Sequence, residues 1–104
     1  MSDFSDAVVD AFRKEARTMI ANLDEEDATV LLQSVARLSD LSIQLAAAQT
    51  DAQRAKIQQN IEHVKSTLES LKGIAKVKTY RLIMNVVKDV LMTMLKAALF
   101  SAIA

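Results

Sequence analysis

The chain contains no proline and a single glycine, Gly73, among its 104 residues. Proline breaks helix interiors, whereas strand-rich folds and their tight turns depend on glycine and on Asn-Gly or Asp-Gly pairs. The sequence contains no such pair, and no stretch alternates apolar and polar residues with the two-residue period of a strand. It therefore predicts an all-α fold, a helical hairpin or bundle with short connections, in one domain spanning residues 1–104.

Apolar spacing and capping residues divide this predicted fold into three to four helices. The first covers residues 2–22, and Asp24, which three acidic residues follow, is a good N-cap for a second helix over residues 25–48. Thr50 and Gln53 form a capping-box signature at the start of a third helix over residues 51–72. Because the connection before Thr50 is very short, helices two and three are expected to form an antiparallel hairpin.

The third predicted helix has the most coiled-coil-like pattern in the chain. Its apolar residues repeat at alternating intervals of four and three, and its other positions are polar. This repeat consists of Ile57, Ile61, Val64, Leu68 and Leu71.

The fourth segment, residues 74–103, begins after Gly73. On one straight helix, its apolar face would be rotated by roughly 150° from that of helix three. Either the chain turns at Gly73 and a fourth helix folds back, or one long bent helix continues around Gly73 and offers its second half elsewhere. Only Thr79 is available to cap a new helix, and a glycine inside a helix costs only about 1 kcal/mol. These two points favour the long bent helix.

The C-terminal residues 82–104 contain only three charged side chains, those of Lys88, Asp89 and Lys96. An amphipathic helix normally has an apolar stripe little wider than about 100°, whereas this segment is apolar over most of its circumference. We expect residues 74–104 to form an interaction helix that buries this face in a homo-oligomer or against a helical partner. The predicted interaction face consists of Tyr80, Met84, Val87, Leu91, Met94, Leu95, Ala98 and Leu99. The polar edge beside it consists of Arg81, Lys88 and Lys96.

Charge is unevenly divided along the chain, although the net charge is zero. Residues 1–51 carry ten acidic and four basic side chains, whereas residues 52–104 carry three acidic and nine basic ones. Such asymmetry marks a nucleic-acid-binding or membrane-facing half in some proteins. Since this chain supplies the opposing charge itself, we favour pairing of its two halves, within one chain or between neighbouring subunits. The polar edge is then set against acidic residues of the first two helices.

The basic residues that precede the apolar tail leave a membrane-active protein open as an alternative. A membrane span needs about 20 apolar residues, and the uncharged stretches of the tail are shorter than that. A span would also place three charges in the hydrocarbon. The alternative is therefore an amphipathic C-terminal helix that lies in the bilayer surface with its lysines reaching the headgroups, or that inserts after assembly.

Residue patterns for catalysis, cofactor binding and metal binding are missing from the sequence. There is no cysteine, and the one histidine, His63, has no nucleophile in a recognisable arrangement with it. The acidic residues 24–27 lack the glycine of a calcium-binding loop and are typical of a helix start. The basic residues around Arg81 belong to no known nucleic-acid-binding motif. We expect no enzymatic activity, cofactor, metal, small-molecule substrate or nucleic-acid partner.

These observations predict a non-enzymatic helical interaction or assembly protein, a structural or chaperone-like subunit. The acidic, polar first residues lack the positive and apolar regions of a secretory signal, so we expect the protein in the cytoplasm. Export without a signal and peripheral association with a membrane stay open.

Overall fold

A computed structural model describes residues 3–71 and 76–103, of which positions 76, 77 and 98–103 are described by their backbone only. The described residues form five helices and no strand, which confirms the all-α prediction. The helices are α1 (Asp3–Glu15), α2 (Arg17–Ala21), α3 (Glu25–Ala47), α4 (Asp51–Glu69) and α5 (Lys76–Ile103).

The first predicted helix is divided at Ala16, where the backbone departs from helical geometry with φ −107° and ψ 22°. Hydrogen bonds still cross this position: the Ala16 amide donates to Phe12 O at 2.8 Å, and the Ile20 amide donates to Ala16 O at 2.9 Å. The segment α2 therefore continues the direction of α1 after a kink. Ala16 is buried in the core, and no proline or glycine lies near it. The kink therefore coincides with tertiary packing and not with a helix-breaking residue.

Both predicted helix starts are confirmed by their side-chain geometry. Asp24 Oδ1 accepts a hydrogen bond from the Asp27 amide at 2.9 Å at the start of α3. Thr50 Oγ1 accepts from the Gln53 amide at 3.1 Å, and Gln53 Oε1 accepts from the Thr50 amide at 3.3 Å, which completes the capping box of α4. Only residues 48–50 separate α3 from α4, and the two helices pack together as the expected hairpin.

The prediction of one long helix through the third and fourth segments is wrong, because α4 ends at Glu69. Its last turn tightens: the amides of Ser70 and Leu71 donate to the carbonyls three residues earlier, at 3.1 Å each. The Ser70 hydroxyl also donates to Thr67 O at 2.6 Å. Leu71 lies outside the helix with its side chain buried, so the core holds the chain where it leaves α4. Gly73 itself lies outside the described residues.

The core is built around α3, which packs against α4 and α1, while α5 packs mainly against α1. Two buried positions of α3 are serines. Their hydroxyls donate to the carbonyl oxygens four residues earlier, Ser34 to Val30 and Ser39 to Val35. These bonds satisfy the hydroxyls inside the core and leave α3 with small side chains at close contacts. The largest fully buried side chains are Phe12, Leu31, Leu38, Leu41, Leu68 and Ile83.

Candidate interaction surface

The first half of α5 belongs to the core of the single chain. Ile83 is fully buried, and Thr79, Val86 and Val87 are each at most 5% exposed. Near the start of α5, Thr79 Oγ1 lies 3.7 Å from Met19 Sδ in α2. Since α2 continues α1 and α5 packs along α1, the two helices run antiparallel from this contact.

The second half of α5 leaves large apolar side chains uncovered. Met92 is 48% exposed, Met94 38% and Leu95 51%, whereas Leu91 is half-buried. Helix length accounts for the exposure from about Leu95 onward, where α5 passes the start of α1. Met92 and Met94 lie before that level, on sides of α5 that do not pack against the core. The 28 residues of α5 extend about 42 Å, whereas α1 and α2 together, from Asp3 to Ala21, extend only about 28 Å. About 14 Å of α5, roughly nine residues, therefore has no equal length of helix beside it.

The predicted interaction face is distributed over three environments in the structure. Val87 lies in the core of the single chain; Tyr80, Met84 and Leu91 are half-buried; Met94 and Leu95 are exposed. The side chains of Ala98 and Leu99 lie outside the described part of the chain. The role of the exposed members as a contact surface stays a prediction.

The face of α5 that packs in the core begins one residue earlier than the predicted interaction face. Thr79, Ile83 and Val86 mark it, and Val90 packs partly against it. One residue corresponds to a rotation of about 100°, which a helix apolar over most of its circumference allows without exposing charge. Sequence reasoning also left Met92 out of the interaction face. Met92 lies four residues from both Lys88 and Lys96, and this spacing in the sequence places it on the same exposed side of the helix as the two lysines.

The residues of the predicted polar edge lie at the surface of α5. Arg81, Lys88 and Lys96 are all exposed, and none forms an ion pair within the part of the chain that the structure describes. The two ion pairs recorded there both lie within α4, between Arg54 and Asp51 and, at 3.2 Å, between Lys65 and Glu62. Within the described residues, the positive charge of the polar edge is thus not compensated by an ion pair.

A shallow groove of about 660 Å³ lies between the end of α3, α4 and the start of α5. Leu45, Ile61 and Tyr80 line it, and Lys65 Nζ lies 4.3 Å from the centre of the Tyr80 ring. The hydrogen bond from Lys65 to Glu62 raises the pKa of the Lys65 ammonium above its usual value; desolvation opposes this rise, and Tyr80 adds to it. These contacts tie α5 to α4 and account for the partial burial of Tyr80.

The groove contains no arrangement of a nucleophile with a base. Its titratable side chains are Glu62, Lys65 and Tyr80, and the first two are paired with each other. His63 is exposed on another side of α4. Among the described residues, no group of three or more histidine, aspartate or glutamate side chains is arranged to hold a metal ion. The exposed apolar side chains of Met92, Met94 and Leu95 are therefore a better candidate for a functional surface than this groove.

Comparisons with protein-family models, with curated proteins and with solved structures find no match to this chain. Within residues 3–71 and 76–103, no helix combines the length and the apolar character needed to cross a membrane.

Proposed function

We propose that this chain is a non-enzymatic assembly subunit that associates through the second half of α5, with another copy of itself as the first partner to test. The observation that carries the proposal is the contrast along one helix. Ile83, Val86 and Val87 are buried in the single chain, whereas Met92 and Leu95 are about half exposed. Apolar side chains clustered on an exposed helix surface are typical of protein–protein contacts, and methionine and leucine adapt well to a helical partner.

The arrangement of charge supports a contact of this kind. Lys88 and Lys96 lie one turn before and one turn after Met92 on the same side of α5, and all three are exposed. An apolar centre with a charged rim is the usual anatomy of a specific interface. The rim limits the orientations that a partner adopts, whereas the centre supplies most of the affinity.

The experiment is light scattering over a wide range of concentrations, with Leu95→Lys as the test variant. We expect the wild-type protein to associate as concentration rises and Leu95→Lys to associate at least about tenfold more weakly, because a lysine ammonium would be desolvated in the contact. Ile43→Lys is the matched control, since Ile43 is 40% exposed and lies on α3. Equal weakening by both variants, or a wild type that stays monomeric throughout, would contradict the proposal.

A bilayer surface is the second candidate occupant of the same face, favoured by the exposed positions of Lys88, Met92 and Lys96. Such a row suits an interfacial helix in which lysines meet anionic headgroups and methionine enters the acyl boundary. Flotation with vesicles of anionic and of neutral lipid separates the two functions. Wild-type protein that floats with anionic vesicles but never self-associates would support the membrane function and overturn the assembly function.

A further inference from the structure

Opposite charges occupy the same end of the molecule on two neighbouring helices. At the start of α1, Asp3, Asp6 and Asp10 are exposed and form no ion pair with a described residue. From the middle of α5 onward, Lys88 and Lys96 are likewise exposed and unpaired within the described residues, and one acidic side chain, Asp89, is exposed beside Lys88. We call the first group the acidic edge and the second the basic edge.

The contact between α2 and α5 sets the level of these two edges. Thr79 and Met19 lie side by side, and the helices run antiparallel from there. About 16 residues back from Met19 the chain reaches Asp3, and about 16 residues on from Thr79 it reaches Leu95, a distance of about 24 Å along each helix. The acidic edge, the basic edge and the uncovered apolar side chains of α5 therefore lie at one end of the bundle.

The opposite end of the same two helices is basic on both sides. Arg13, Lys14 and Arg17 are exposed at the end of α1 and in α2, and Lys78 and Arg81 are exposed at the start of α5. Glu15 is also exposed on α1, and the acidic residues 24–26 open α3 beside this end, but basic side chains outnumber acidic ones on the two helices themselves. This part of α1, α2 and α5 therefore disfavours a partner that brings a basic surface against it. The two ends are thus electrostatically distinct, which restricts how two copies meet.

We propose that a second copy of this chain docks at the end that carries both edges, with the acidic edge of each copy against the basic edge of the other. This inference rests on the proposed function and specifies its partner and geometry. A two-fold axis roughly along the helices places α1 of each copy against α5 of the other and keeps the like ends of the two copies at the same level. Both contacts between an acidic and a basic edge then form at once, and the dimer closes. A two-fold axis across the helices would instead pair α5 with α5 and α1 with α1. Lys88 and Lys96 would then face Lys78 and Arg81 of the second copy, and this repulsion would offset the attraction between the acidic and basic ends of the two α1 helices.

The apolar part of this contact lies between the charged edges. Met92 and Leu95 lie at the level of the acidic edge, and both fall between Lys88 and Lys96 in the sequence. Their burial supplies the affinity, and the edges fix the orientation. Because exposed charges are screened by salt, the affinity of the dimer falls as ionic strength rises.

The test is a charge exchange between two full-length variants. One variant carries Asp6→Lys with Asp10→Lys, and the other carries Lys88→Glu with Lys96→Glu. Each alone sets like charges in both contacts, so we expect dimerisation at least about tenfold weaker than that of the wild type. In an equimolar mixture every contact joins opposite charges, so light scattering should show the return of a dimer. Circular dichroism confirms that each variant remains helical.

A third variant guards against attraction that arises only from net charge. Glu25→Lys with Glu26→Lys changes the net charge as much as the acidic-edge variant does, but at exposed positions at the start of α3. Because both of its edges are intact, it should dimerise with itself as the wild type does, and adding the basic-edge variant should not raise the amount of dimer. Two results overturn the proposed geometry: additional dimer when the basic-edge variant is added to the control variant, or no dimer in the mixture of the two edge variants. A wild type that self-associates leaves the assembly function intact in either case. A wild type that stays monomeric at every concentration overturns both.

Discussion

Truncation of Ile83 to alanine tests the assignment of the first half of α5 to the core of the single chain. The side chain is fully buried and belongs to the hydrophobic cluster that joins α1, α3, α4 and α5. The substitution removes three carbon groups at about 0.8 kcal/mol each, or about 2.4 kcal/mol of lost burial. An unfilled cavity adds to this, so we expect the free energy of unfolding to fall by about 3 kcal/mol. A domain of this size has about 5–15 kcal/mol to lose.

Urea unfolding followed by circular dichroism measures this change, at a concentration at which light scattering finds only monomer. Leu95→Ala is the control, because Leu95 lies on the same helix but is 51% exposed. Its free energy of unfolding should stay within about 0.5 kcal/mol of the wild-type value. A loss below about 1 kcal/mol for Ile83→Ala, or equal losses for both variants, would refute the docking of α5 through this face.

Two further predictions concern α4. Replacing Thr50 by alanine removes the side-chain oxygen that accepts the Gln53 amide, so the free energy of unfolding should fall by about 1 kcal/mol in urea titrations, whereas Thr50→Ser should retain most of it. No loss for Thr50→Ala would show that the capping box is not formed in solution. The folded chain raises the pKa of Lys65 through Glu62, so the stabilisation from the charged amine is complete below the unfolded pKa of about 10.4 and is lost as pH rises through the higher folded pKa. The stability difference between the wild type and Lys65→Gln should therefore be constant from pH 7 to about 9 and shrink only above about 10.4; a difference that already shrinks below pH 9 would contradict the Lys65–Glu62 contact.

Features that depend on neighbouring residues in the sequence could be predicted before the structure. Asp24 and Thr50 cap their helices because their side chains reach amides only three residues away, and this chemistry is local. The hairpin of α3 and α4 follows from the short connection between them. The helix caps, the hairpin and the all-α fold class follow from local sequence and do not depend on which helices pack against one another.

Features that depend on tertiary burial were not predicted. The kink at Ala16 and the end of α4 before Leu71 both occur at residues whose side chains enter the core. Neither position carries a residue that ends a helix by its own chemistry. Gly73 drew attention as the natural place for a helix to end, whereas α4 ends at Glu69, where burial of Leu71 takes precedence over the residue type.

The orientation of α5 could not be read from the sequence for a related reason. Periodicity identifies the buried face of a helix only if the other faces are polar. Here the row of Thr79, Ile83 and Val86 and the row of Tyr80 and Met84 are both largely apolar. Contact with α1 buries the first row and leaves the second half-buried. Exposure of Arg81, Lys88 and Lys96 agrees with the sequence because charge on this helix is confined to one narrow side.

The separation of covered and uncovered halves along α5 bears on how association is coupled to folding. An obligate dimer shares one hydrophobic core, so its chains have no stable folded monomer. In this chain the core already contains Phe12, Leu31, Leu38 and Ile83, each at most 1% exposed without a partner. This core leaves no gap for the exposed side chains of Met92, Met94 and Leu95 to fill, so their burial in a partner would not complete it. In the proposed assembly, folding and association are therefore separate equilibria, and we expect the degree of assembly to follow the concentration of folded monomer and the ionic strength. We expect a subunit of the proposed kind to assemble and disassemble without unfolding, because losing its partner uncovers only side chains of α1 and α5 that lie outside the core of the single chain.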